Sequence, residues 1–378
     1  MTIKTYNFPT RIMIGEGAAD LLAAQLQAKS IIRPQIVTDS GIAGLEMFTI
    51  LMSKLQLAGL EPAVFSDFSG NPLESHVNAG VKHYKKNNCD SCVLIGGGAA
   101  LDVGKAIALM ATNAGTLFDY EDEKPGALPV LNALPFIVAI PTTAGTGSEV
   151  GRSSVISDDK THTKKIIFDP QLLPKLVIAD PLLTVGLPSF VTATTGIDAL
   201  THCVEAFLTP MEHPMCDGIA LEGVRLVSQA LVTAVQNGSD IQAREKMLHA
   251  AMMGSVAFQK GLGVTHSCAH AMSAVFNTHH GLANAIMFPA CMKFNAEAVP
   301  EKFERLAQAV GLQTHSAEAF INWYLDLAQK VDVPMGLQHH GINITDQLVD
   351  LSLADGCHNS NPRKVSREDF IKIFEEAL

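Results

Sequence analysis

The feature that most constrains this chain is a change of hydrophobic period near residue 185. From residue 10 to about 180, short apolar β-rich runs alternate with longer segments whose apolar residues recur every three or four positions. Ile31–Thr38, Ala63–Phe68, Ser91–Ile95 and Phe136–Ile140 read as strands, with Gly41–Leu60 and Glu74–Asn87 as helices between them. Nearly continuous apolar strands separated by helices predict a parallel sheet covered on both faces. Ligands in such sheets sit beyond the carboxyl ends of the strands. Past 185 the strand signals nearly stop, and Thr192–Leu208, Met215–Asn237, Ile241–Gln259, Thr265–Asn277, His280–Ala298 and Lys302–Val310 read as helices. The expected organisation is an α/β nucleotide-type domain over 1–184 and an all-helical domain over 185–378. The boundary falls in Asp180–Pro188, with a cleft expected between the domains.

The 378 residues suffice for two domains, and 47% apolar with 17% charged residues leaves ample material for their cores. That composition excludes a disordered chain or a small disulfide scaffold. A net charge of −11 with no long basic run argues against nucleic acid and anionic membranes as partners. Anionic cofactors stay open, because backbone N–H groups at helix starts hold phosphate whatever the net charge. The first residues lack a signal-peptide core, and no uninterrupted apolar run reaches about 18 residues, so no membrane span is expected. Seven scattered cysteines without an export signal read as reduced thiols of a cytoplasmic protein. Cys89-Asp-Ser-Cys92 has redox-motif spacing, but Cys92 opens the run Cys92–Ile95, so both read as strand-entry thiols.

Ser91-Cys-Val-Leu-Ile-Gly-Gly-Gly-Ala-Ala-Leu-Asp-Val-Gly-Lys105 is a buried strand that ends in three glycines and enters a helix. Glycines permit a tight turn and a close phosphate, and the helix start supplies donors. The run matches neither GxGxxG nor the Walker spacing. Pro141-Thr-Thr-Ala-Gly-Thr-Gly-Ser-Glu149 repeats the logic after the next strand, as a cofactor loop or a capped turn. Asp39 follows the Ile31–Thr38 strand, where an acid either accepts from ribose hydroxyls or caps the next helix.

Seven of the fourteen histidines fall between 202 and 280. Asp198 and His202 are one helical turn apart, as are His266 and His270, and His279-His280 opens the following helix. Helices that present a carboxylate and imidazoles to one point make a mononuclear oxygen/nitrogen site suited to Fe(II) or Zn(II). The alternative is a set of hydrogen-bonded histidines at a polar helix interface.

At these residues the chain resembles the iron-containing (group III) alcohol dehydrogenase family over essentially its whole length. The resemblance rests on Gly96-Gly-Gly with Asp102 and Lys105, Pro141–Glu149, Gly196-Ile-Asp-Ala-Leu-Thr-His202, and Gly263 through His266, His270 and Asn277-Thr-His-His-Gly281. It implies a dehydroquinate-synthase-like architecture: a Rossmann-like N-terminal domain for NAD and an all-α domain for a divalent metal. It implies Asp198, His202, His266 and His280 as metal ligands. His270 becomes a catalytic histidine beside the nicotinamide that relays protons. Asn71, Gly97, Gly98, Asp102, Thr142, Thr143 and Lys164 become cofactor contacts, and Asp39 the acid favouring NAD over NADP. A homodimer is a further family-level expectation.

Five positions depart from the family pattern. Ala99 stands where Ser is usual, Gly104 where Ala or Cys is usual, and His279 where Pro is usual. Gln259-Lys260 replaces a smaller polar pair, which makes substrate choice the property least carried over.

The implied chemistry is reversible oxidation of a small primary alcohol or diol to its aldehyde, with Fe(II), or Zn(II), as Lewis acid and NAD as hydride acceptor. A hydroxyacid or semialdehyde dehydrogenase of the same family is the alternative. A cyclase or lyase of this architecture would need several cations around a phosphate ester, and the loops here are poor in them. A metallohydrolase would leave the glycine turns without a purpose.

Overall fold

The computed structural model describes residues 6–8, 10–122, 124–161 and 163–378. The chain divides into two compact units, Met1–Thr143 with Ser148–Thr184, and Ala144–Gly147 with Val185–Leu378.

The first unit contains β1 (Arg11–Ile14), α1 (Leu22–Gln27), β2 (Pro34–Val37), α2 (Ser40–Ala43), α3 (Glu46–Leu57), β3 (Ala63–Phe65) and α4 (Glu74–Lys86). These are followed by β4 (Ser91–Gly96), α5 (Gly98–Thr112), β5 (Phe136–Pro141), β6 (Ser153–Ser157), β7 (Lys164–Phe168) and β8 (Leu176–Ala179). Six strands form a sheet in the order β1-β8-β5-β4-β2-β3, every neighbouring pair parallel, while β6 and β7 form an antiparallel ribbon. All residues of β2 and β4 are buried, which explains their unbroken apolar runs. Successive residues feed opposite cores. Val37, Leu94 and Ala139 pack with α5, whereas Ile36, Val93, Ile95 and Val138 pack with α1 and α3. After β2 the chain moves outward to β3, and after β4 it moves the other way to β5. The sheet therefore has a switch point between the carboxyl ends of β2 and β4, which is where such sheets bind ligands.

Local differences from the sequence reading have identifiable causes. The strand expected over Ile31–Thr38 shortens because Asp90 takes the N–H groups of Ile32 and Arg33 before the ladder begins at Pro34. The helix expected over Gly41–Leu60 divides at Leu45, whose backbone is extended, into α2 and α3. Strands β1, β6, β7 and β8 lie outside the four singled out in the sequence; β7 is largely exposed and lacks a continuous apolar run.

The second unit contains α6 (Ser189–Leu208), α7 (Pro214–Gln236), α8 (Ile241–Ala257), α9 (Val264–Phe276) and α10 (His280–Ala296). Then come α11 (Pro300–Ala309), α12 (Ala317–Lys330), α13 (Asp346–Ala354) and α14 (Arg367–Glu376). No strand lies within it among the described residues. Helix α6 is its axis, with every residue from 196 to 208 buried and α7, α8 and α10 packed around it. Helix α7 is long and apolar enough to cross a membrane by length and composition. Here Cys216, Ala220, Val224, Val227 and Leu231 line the helical core, which accounts for its apolar character.

Candidate functional site

A polar centre lies inside the second unit. Asp198 and His202, one turn apart on α6, share a face. Helix α9 brings His266 to them in its first turn, and α10 opens with His280. Gly281 permits this approach, because a Cβ there would lie 2.3 Å from the Thr194 carbonyl oxygen of α6. The Nε2 atoms of His280, His266 and His202 stand 3.4, 3.8 and 3.9 Å from one oxygen, Oδ1 of Asp198. Asp198, His202 and His266 are almost fully buried, and the His280 side chain is 27% exposed.

Glu205, another turn along α6, holds this arrangement. Its carboxylate accepts from the N–H groups of Gly263 (3.0 Å) and Thr265 (2.7 Å), capping α9, and lies 2.7 Å from Nδ1 of His266. The carboxylate makes Nδ1 the donor, so the lone pair on Nε2 faces Asp198. Asn284, one turn beyond His280, places Nδ2 2.7 Å from Asp198 Oδ1, 3.2 Å from His280 Nε2 and 3.4 Å from His266 Nε2. Its Oδ1 is buried without a hydrogen-bond partner.

The donor set fits a divalent ion. Bonds of about 2.0–2.2 Å in a tetrahedron put neighbouring ligand atoms roughly 3.3–3.6 Å apart, close to the spacings around Asp198. One carboxylate and three imidazoles suit Fe(II) or Zn(II). Burial pushes the His202 imidazole down to about 4 against the attraction of Asp198, which leaves it neutral with a lone pair to donate. Burial works against ionisation of Asp198, but His202 and His280 outweigh it and hold the carboxyl far below its usual range. Burial likewise opposes charge on His266, and the Glu205 hydrogen bond overrides it and raises that imidazole.

His270 stands beside this cluster. Its ring stacks on His280 with centroids 5.3 Å apart, and its Nδ1 lies 2.8 Å from Oδ2 of Asp355. The other Asp355 oxygen accepts from Ser267 Oγ (2.8 Å) and the Cys357 N–H (2.9 Å). His279 does not share the centre: it is an exposed N-cap of α10 whose ring lies 6.5 Å from Phe190.

Lys260 is buried with its ammonium on the Asp217 carboxylate, and Gln259 Nε2 donates to the Val256 carbonyl at 2.9 Å. Glu205, Asn284 and Asp355 were not singled out in the sequence. Glu205 and Asn284 carry a usable signal, since each lies on the face of its helix that carries Asp198 and His202 or His280. Asp355 carries none, being 85 residues from His270.

In the first unit, the glycine turn follows β4 at the switch point. Gly96 has φ +153, and a Cβ there would lie 2.6 Å from the Ala100 Cβ and 3.7 Å from Asp39 Oδ2. Gly97 is the N-cap of α5, and Gly98 is its first residue. Thr142 N–H donates to the Gly96 carbonyl at 3.0 Å, and a Cβ at Gly97 would touch Thr143 Oγ1 at 3.3 Å. Asp39, Gly97, Gly98, Thr142 and Thr143 thus gather at the ends of β2, β4 and β5 around a helix start that suits phosphate. Asp39 also caps α2 by accepting from Ile42 N–H at 3.0 Å.

Asn71 lies beside Pro72, whose carbonyl accepts from Ser157 N–H at 2.8 Å, and Ser157 pairs in register with Lys164. Asp102 has both oxygens engaged, by Ser148 Oγ at 2.6 Å and Val155 N–H at 3.1 Å, so it braces α5 against β6. Lys105 is fully buried, its ammonium on the carbonyls of Ser148, Gly151 and Ser153, so it does not face a phosphate. Cys92 is fully buried in β4, and burial pushes the thiol of Cys89, just before that strand, up to about 11. The seven cysteines are free thiols.

Family models match both parts of the chain: "Iron-containing alcohol dehydrogenase" over residues 9–181 and "Fe-containing alcohol dehydrogenase family, C-terminal" over 192–378. The chain is 35% identical to a 4-hydroxybutyrate dehydrogenase of Cupriavidus necator, covering 98% of each. It is 34% identical to an NAD-dependent methanol dehydrogenase of Bacillus methanolicus, covering 100% of each. The crystal structure of a 1,3-propanediol oxidoreductase superposes with a TM-score of 0.94 at 34% identity, over 99% of this chain and 100% of that one.

Proposed function

The chain belongs to the iron-containing alcohol dehydrogenase family and is an alcohol/aldehyde oxidoreductase, and we propose that it interconverts a small primary alcohol or diol and its aldehyde using NAD(H) and Fe(II). The observation that carries this reading is the convergence of three imidazole Nε2 atoms on Asp198 Oδ1 at 3.4–3.9 Å. Asp198, His202, His266 and His280 would hold the ion, and the same donors would accept Zn(II).

When bound, the metal supplies Lewis-acid polarisation of the substrate oxygen and the nicotinamide supplies a two-electron acceptor. The protein's own groups prepare the rest. Glu205 fixes the tautomer and angle of His266. Asp355 accepts from Nδ1 of His270, which turns Nε2 into the position that takes up or releases a proton. The amides at Gly97 and Gly98 and the hydroxyls of Thr142 and Thr143 would hold cofactor phosphate. Asn71 and Lys164 would flank it, and Asp102 would support the helix beneath. Asp39 would accept from a ribose hydroxyl and repel a 2′-phosphate.

The test is metal-depleted protein, reloaded anaerobically with one equivalent of Fe(II) and assayed for NADH formation against short alcohols, diols and ω-hydroxyacids. Metal-dependent NADH formation supports the reading. Ester hydrolysis without NADH formation from any alcohol would overturn it. The relative named for 4-hydroxybutyrate supports including hydroxyacids, with a semialdehyde product, as the second reading.

A further inference from the structure

Beside the Asp198 cluster lies a second group of donors with a different chemistry. One ligand atom each from His270, Asp355 and Cys357 lie within 4.8 Å of one another. His270 Nδ1 is 2.8 Å from Asp355 Oδ2 and 4.0 Å from Cys357 Sγ. Bonds of about 2.3 Å to sulfur and 2.0–2.2 Å to nitrogen and oxygen require separations of roughly 3.3–3.6 Å, so small side-chain shifts would seat an ion.

The carboxylate is already aimed for that role. Ser267 Oγ and the Cys357 N–H both bind Oδ1, and Ser267 Oγ in turn accepts from the His358 N–H at 3.0 Å. Oδ2 is thereby left facing the imidazole, which is the supporting hydrogen bonding that orients metal ligands. His270 and Asp355 side chains are 30% and 18% exposed, so an ion can reach them; His266 in the first cluster is 1% exposed. Another thiol–imidazole contact, Cys216 Sγ with His213 Nε2 at 3.4 Å, has no such capacity, because the Lys260 ammonium lies on the neighbouring Asp217.

We propose that His270, Asp355 and Cys357 form a second divalent-metal site that takes thiophilic ions such as Zn(II) and inhibits the enzyme when filled. Three protein ligands of mixed sulfur, nitrogen and oxygen type with one position open is a pattern zinc accepts, and thiolate favours zinc over harder ions. Loading releases the Cys357 thiol proton to solvent and moves the imidazole proton of His270 from Nδ1 to Nε2. His270 then has no lone pair left with which to accept a proton. The binding is independent of the proposed function; the inhibition rests on the proton role given there to His270.

Cobalt(II) titration of the whole protein tests the binding, since only the second site offers a thiolate. One equivalent should bind without thiolate-to-cobalt charge-transfer absorption, and a second should bring that band. The Cys357→Ser variant should keep the first equivalent and lose the band. Asp355→Asn should weaken the second equivalent by about tenfold or more and leave the first unchanged. A single equivalent in the unaltered protein, a second one without the band, or a band that persists in Cys357→Ser overturns the assignment. X-ray absorption on the unaltered protein with two equivalents of zinc gives a check that needs no variant. Sulfur at about 2.3 Å supports the site, and a shell of only nitrogen and oxygen contradicts it. Inhibition by zinc, scaled to each variant's own zinc-free rate, should be about tenfold weaker in Cys357→Ser. Zinc that binds Cys357 yet leaves the rate unchanged overturns the inhibition and the proton role of His270 together, while the site itself stands.

Discussion

The two units build their candidate sites from different material. In the helical unit the centre is made of side chains: one carboxylate and three imidazoles from α6, α9 and α10, braced by Glu205 and Asn284. In the α/β unit the turn after β4 is made of backbone, with glycines that admit a ligand and amides at the start of α5. A site of side chains stands or falls with single residues. A site of backbone donors tolerates most substitutions and is tuned by the few side chains at its edge, Asp39 above all.

The largest effects therefore belong to the helical unit. His202→Ala or His266→Ala should strip the metal and lower kcat by more than about 100-fold, while NADH binding to the α/β unit is retained. Stoichiometric metal in either purified variant would remove that residue from the ligand set. Glu205→Gln comes next. It retains the shape of the cap on α9 but loses the charge that orients His266, so metal affinity should fall by about 10- to 100-fold in a chelator competition. Unchanged affinity would reduce Glu205 to a helix cap.

In the α/β unit the contrast predicts a change of preference, not a loss. Asp39→Gly should shift the ratio of kcat/KM for NADP against NAD by about tenfold or more towards NADP, with little change in metal content. An unchanged ratio would leave Asp39 as the cap of α2 alone. The smallest effect concerns Glu149, which is buried with Oε1 lacking a hydrogen-bond partner and is pushed up to about 7 by burial. A carboxyl raised on folding contributes its stability fully below its unfolded value and loses it as pH rises through about 7. Glu149→Gln should flatten that loss, worth at most about 3 kcal/mol, in Tm measured from pH 5 to pH 8. A variant with the same pH slope as the unaltered chain would show that Glu149 finds a partner in solution.

What could be read from the sequence follows the same division. Asp198 with His202, and His266 with His270, are visible because helical residues four apart share a face, and the strand–helix alternation exposes the parallel sheet. Glu205 and Asn284 obey the same spacing and could have been drawn in, although neither type is a usual marker of a metal centre. Asp355 could not, because only tertiary folding brings it against His270. Asn71 and Lys164 entered through resemblance alone, and the structure links them by way of the short β6–β7 ribbon, whose strands carry little apolar pattern. The pairing of Lys260 with Asp217 is likewise invisible in the sequence, because only folding brings α7 against it.

Four side chains, and not their neighbours, would hold the metal. Metal content of His280→Ala, His279→Ala and His270→Ala, purified anaerobically side by side, separates the ligand from its neighbours. Adjacent residues at a helix start point about 100° apart, so His279 and His280 cannot both face one ion. His280→Ala should lose the metal. His270→Ala should keep it with a lowered kcat and an altered pH–rate profile, and His279→Ala should match the unaltered protein. Loss of metal in His279→Ala with retention in His280→Ala would make His279 the ligand and His280 the bystander.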